Sequence, residues 1–177
     1  MHPSRGFSRC RAAAIAFLAA GLAQGAGREP ELARVESLVV DATNAYRAKE
    51  GAPRVERDAR LDATAHEFAS YLAKTGKLDH DADGSTPFER ARRHGYDFCL
   101  LSENIAYQFD TRGFSTQELA RLFTEGWKNS PGHRKNMLDR GATQGAVAVA
   151  RAPREGYYYA VQMFGRPRTA RGCAARD

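Results

Sequence analysis

The chain has 177 residues, 42% hydrophobic and 27% charged, with a formal net charge of +6. Its arginines are scattered and not interleaved with aromatics, which argues against a nucleic-acid surface and for ordinary solubilising charge. The length suits one domain around a single core, and no internal repeat or low-complexity segment asks for a second.

The first segment has the three parts of an export signal. Arg5, Arg9 and Arg11 supply positive charge, Ala12 to Ala23 form an apolar run, and Ala23-Gln24-Gly25 offers small side chains for cleavage. About a dozen apolar residues are too few to span a bilayer core, which needs about 20, so a signal is a better reading than an uncleaved tether. Residues 1–25 are therefore expected to be a signal peptide and residues 26–177 a single exported domain, secreted or periplasmic and not transmembrane after cleavage. Loss of the three signal arginines, with no acid, lowers the net charge from +6 to +3. Cys10 leaves with the signal, and the remaining Cys99 and Cys173 most simply pair with each other in an oxidising compartment. A nucleophilic Cys99 is the competing reading, but no local signature surrounds it.

In the mature chain, Leu32, Val35, Leu38, Val39, Ala42 and Tyr46 recur at three and four, predicting a helix from Glu31 to Glu50 that Gly51-Ala52-Pro53 stops. Asp58 precedes a second helical pattern through Leu61, Ala65, Phe68, Ala69 and Leu72, closed by Gly76. After a polar loop from His80, Thr86 caps and Pro87 starts a short helix ending near His94-Gly95. Leu100 to Phe109 reads as a strand with Glu103 near its start. Ser115 or Thr116 caps a helix through Leu119, Leu122, Phe123 and Trp127, and Ser130-Pro131-Gly132 ends it ahead of a short helix from His133 to Leu138. Gly145 to Ala150 and Tyr157 to Phe164 flank a turn and form a hairpin. Helices on either side of a small, mainly antiparallel sheet predict an α+β fold, a three-layer α-β-α sandwich.

The segment from Trp127 to Leu138 places His133 immediately after a helix-breaking Ser-Pro-Gly, at the head of a short helix where it can face a cleft. Three further motifs accompany it: Leu78-Asp79-His80, Ser102-Glu103-Asn104-Ile105, and Tyr159-Ala-Val-Gln162-Met-Phe164-Gly165. With these motifs in this order, spread over nearly the whole mature chain, the sequence resembles the bacterial branch of the CAP superfamily. These are the secreted cysteine-rich secretory protein, antigen 5 and pathogenesis-related 1 proteins. The resemblance implies a cleft with two histidines and usually two acids. His80 takes the place of the first histidine, His133 of the second, and Glu103 of one acid, with Ser102 where a glycine is usual. Ser130 stands where the second acid is expected. The resemblance also implies that the Asn104 amide ties neighbouring backbone segments at the cleft.

Two imidazoles and a carboxylate are a ligand set for zinc or another divalent cation, weakly held and with an open position for water. The alternative is that His80 and His133 share hydrogen bonds with Glu103 and water. His66-Glu67 begins like a zincin helix, but Ser70 occupies the second ligand position, leaving His66 to pack along its helix. His94 reads as a helix-end cap. Neither Ser102 nor Ser130 lies in a nucleophile elbow. Trp127, Tyr159 and Phe164 are expected in the core, Arg134 and Asn136 in pairing or capping, and the direction of Gln162 stays open.

The favoured expectation is a non-catalytic binding module whose cleft or adjoining apolar groove takes a small hydrophobic ligand, a lipid or sterol as in relatives. The alternatives are a metal-dependent, peptidase-like hydrolase using His80, His133 and Glu103, and a module that docks an extracellular protein partner. Ser130 in place of an acid favours binding, because a hydrolase needs a general base beyond its ligands.

Overall fold

A computed structural model describes residues 29–169 and 172–173. The expected signal peptide, Cys10 and the mature start lie outside the described residues. In chain order the elements are α1 Leu32–Lys49, β1 Glu56–Arg57, α2 Ala59–Thr75, α3 Pro87–Arg93, β2 Phe98–Phe109, α4 Thr116–Asn129, α5 Pro131–Met137, β3 Gln144–Arg151 and β4 Tyr157–Pro167.

Local chemistry sets the boundaries. The Asp58 carboxylate accepts from the amides of Arg60 and Leu61 to open α2, and Gly76, at φ 70°, closes it in a left-handed turn that other residues adopt at a cost. Thr86 and Glu89 form a reciprocal capping box with Pro87 at the first helical position of α3. Ser115 caps α4 by accepting from Glu118, which leaves the neighbouring Thr116 hydroxyl to accept from the Glu31 amide at the start of α1.

The four strands lie in the order β1-β3-β4-β2, with β1 parallel to β3 and the other pairs antiparallel. The sheet is therefore mixed, although mainly antiparallel. Two residues of β1 are too few for any alternation, so no sequence pattern betrays it. One face carries α1, α4 and α5 over a core that includes Val35, Val39, Phe123, Trp127 and Phe164. The other carries α2 and α3 over Leu61, Phe68, Leu72, Tyr96 and Met163. Full burial of each such side chain is worth about 1.5–3 kcal/mol, so both layers hold the sheet.

Two features anchor the end of the sheet nearest the histidines. Cys99 and Cys173 form a disulfide that ties the tail to the start of β2. The Tyr96 ring lies directly on Gly165 of β4, so close that a Cβ there would stand 2.5 Å from the phenol oxygen. That oxygen donates to Gln144 at 2.8 Å, at the start of β3. Among the described residues, no helix is long and apolar enough to cross a membrane.

Candidate functional site

β2 is an edge strand, and its alternating side chains reach both layers. Asn104 points toward α1. Its amide nitrogen donates to the His133 carbonyl at 3.2 Å and to Oε1 of Gln162 at 3.0 Å, and Gln162 donates onward to the Thr43 hydroxyl of α1 at 2.9 Å. Asn136 of α5 donates to Asn104 Oδ1 at 2.9 Å and to the Glu103 carbonyl at 3.3 Å. This chain of amides docks the helix that carries His133 against the strand that carries Glu103, and it fixes Gln162 inward.

Glu103 points the other way, toward α3. Its side chain is 1% exposed, and Oε1 lies 2.8 Å from Nδ1 of His80. Both carboxylate oxygens also accept from Nη2 of Arg90 at 3.1 Å. Arg90 is wholly buried, with its guanidinium 3.4 Å from the centroid of the Phe68 ring. The same Nη2 reaches the His80 carbonyl at 2.8 Å, Nη1 reaches the Ser85 carbonyl at 2.6 Å and Asp83 Oδ1 at 2.8 Å, and Nε donates no hydrogen bond among the described residues. A buried carboxylate is tolerated here because a planar, permanently charged fork pairs it and satisfies the loop beside it.

The two histidines differ. The bond to Glu103 raises the pKa of His80 above its ordinary value, with burial opposing, while its ring stays 49% exposed. Burial lowers His133, and the charge of His80 lowers it further. Among the described residues the His133 ring takes no hydrogen bond. Ser130 sits partly buried at the junction of α4 and α5, and its hydroxyl makes no capping bond to α5.

These contacts bear on the expected metal set of His80, His133 and Glu103. Arg90 occupies both oxygens of Glu103, and His80 turns Nδ1 to the same carboxylate, which leaves two imidazoles where a zinc centre takes at least three protein ligands. No three His, Cys, Asp or Glu residues converge as a metal-binding group among the described residues. With Glu103 so engaged, a divalent cation here would draw on the two imidazoles and water.

The other candidates are structural. His66 pairs with the buried Glu36 of α1 at 3.5 Å, and His94 ends α3 and bonds Glu67. Arg134 reaches the Lys128 carbonyl at 3.4 Å. Trp127, Tyr159 and Phe164 are buried in the core. Separately, a groove of about 240 Å³ runs between α1 and α4 over Leu38, Ala42 and Ala120, rimmed by Gln117, Arg121 and Glu125.

Arg90 escaped the sequence reading because Glu89-Arg90-Ala91-Arg92-Arg93 looks like a solvated charge run. In the structure Arg90 and Ala91 are the buried residues of this short helix.

The described residues form an α+β fold with helices on both faces of a mixed sheet, and His80 and His133 lie on segments packed against its edge strand. The chain belongs to the cysteine-rich secretory protein family, CAP, whose family model matches residues 40–164. It is 31% identical over 105 residues to the uncharacterized protein YkwD of Bacillus subtilis (strain 168), covering 59% of this chain and 38% of that protein. The chain thus spans well under half the length of the curated relatives it matches. Among solved structures, an outer surface protein from Borrelia burgdorferi superposes with a TM-score of 0.65 at 20% identity, over 75% of this chain and 92% of that one. An extracellular protein containing an SCP domain from Bacillus anthracis gives 0.60 at 26% identity, over 76% and 41%.

Proposed function

We propose that this protein is an exported, non-catalytic binding module for a small hydrophobic ligand, a lipid or sterol. One observation carries the reading: both oxygens of the cleft's acid are already engaged, Oε1 of Glu103 by His80 and Arg90 and Oε2 by Arg90. Hydrolysis needs a general base within hydrogen-bond reach of the attacking water. Ser130, in the place of the second acid, supplies no carboxylate, so a base would have to come from His133 or His80 alone. The α1–α4 groove supports an amphipathic ligand, having an apolar floor and a polar rim around about 240 Å³, a little below the roughly 300–1,000 Å³ usual for small-molecule sites. Export is supported by the outer-surface and extracellular relatives.

The test is equilibrium binding of a fluorescent fatty acid and a sterol to the purified exported chain, beside Leu38→Arg, with peptidase and esterase assays run with and without zinc. The expected result is saturable binding lost in Leu38→Arg and no turnover. Zinc-dependent turnover abolished by His133→Ala would put the metal-dependent hydrolase first. Absence of binding to either lipid, with no turnover, would leave docking of an extracellular protein partner.

A further inference from the structure

We infer that Arg90 is the positioning residue of the cleft: one buried guanidinium holds Glu103 and the His80–Ser85 loop together, and so fixes which edge of the His80 ring is offered to a ligand. The inference rests on the reading of the cleft as a binding surface, but its geometry stands apart from any ligand.

His80 is half exposed on a loop and has little packing of its own to orient it. What orients it is the bond from Nδ1 to Glu103 at 2.8 Å. Glu103 in turn is aimed by Arg90, which takes both oxygens and, through the same nitrogen, the His80 carbonyl. The other end of the fork grips Asp83 and the Ser85 carbonyl, so the loop is clamped at both of its ends. Phe68 backs the guanidinium and leaves it one plane to occupy. With Nδ1 held against an arginine-paired carboxylate, the proton of a neutral ring resides on Nδ1, and Nε2 faces away from Glu103 as an acceptor. The role of the ring toward a ligand is then set by its charge and not by ring flips. A lysine could supply the charge, but it lacks the planar fork that reaches two carboxylate oxygens and three loop acceptors together.

The experiment is nitrogen-15 and proton NMR of the His80 imidazole in the full exported chain at alkaline pH, where the ring is neutral. The unaltered protein should show one tautomer, with a slowly exchanging Nδ1–H. Arg90→Lys should lose that resonance and average the two ring nitrogens. Tyr71→Phe is the control, because the Tyr71 hydroxyl donates to the Ala82 carbonyl of the same loop without touching Arg90 or Glu103. It should leave the resonance in place. A folded Arg90→Lys protein with an unchanged Nδ1–H, or an equal loss in Tyr71→Phe, would overturn the inference. If Arg90→Lys does not fold, Asp83→Asn decides: it loosens the loop end of the clamp, broadening of the Nδ1–H supports the role, and an unchanged resonance refutes it. None of these readouts involves a lipid, so failure of the ligand reading would leave them standing, and the reverse also holds.

Discussion

Arg90 meets Glu103 with almost no water on either side, their side chains being 0% and 1% exposed. Removing one member of such a pair strands the other as a buried charge, which costs about 3–5 kcal/mol. Arg90→Met and Glu103→Leu should each destabilise by that order in urea unfolding. The double variant should lose clearly less than the sum of the two. Strict additivity would mean that the two groups are stabilised independently.

The two histidines should titrate apart. Glu103 holds His80 above the ordinary value of about 6.5, while burial first and the His80 charge second hold His133 below it. The contribution of His80 to stability is therefore complete below about pH 6.5 and lost as pH rises through its folded value. For His133 the sign reverses: its contribution is present above about pH 6.5 and lost as pH falls through its lowered value. In Glu103→Gln the two transitions, followed by the ring protons, should move toward each other. Movement in the same direction would contradict the coupling.

A strand glycine serves as the bed for an aromatic ring. A methyl group at Gly165 would lie 2.5–2.8 Å from three atoms of Tyr96, so Gly165→Ala should cost about 1–3 kcal/mol through overpacking. Adding Tyr96→Leu to that variant should recover part of the loss. A neutral Gly165→Ala would show that the ring is free to move aside.

Native exported protein should contain no alkylatable thiol, since Cys99 and Cys173 are bridged over a separation of 74 residues. Reduction should lower stability by about 2–4 kcal/mol, the range typical of such bridges. Mass spectrometry without reductant and unfolding with reductant check the two halves separately.

The helices were legible because their apolar residues keep helical spacing and their ends carry strong signals, as Asp58, Gly76 and Thr86 do. The hairpin and the long strand through Glu103 followed from continuous β-type runs. The two-residue β1 was not legible, because its pairing with β3 depends on a surface built much later in the chain. In the site, His80, Glu103 and His133 could be named from motifs, yet what Glu103 does could not. Its character comes from Arg90, which in sequence is one of several similar arginines and becomes different only once α3 turns it onto Phe68. The direction of Gln162 likewise depended on Thr43, 119 residues away.

Asn104 and Glu103 are adjacent, and they satisfy partners in opposite layers of the sandwich. If β2 slipped by one residue against β4, the carboxylate would enter the layer that holds Thr43 and the amide would face Arg90, leaving uncompensated charge on both sides of the sheet. Misaligned pairings of this edge strand are thereby heavily penalised. Correct alignment of β2 is thus a precondition for the cleft, since one register sends Glu103 to Arg90 and Asn104 to Gln162 at once.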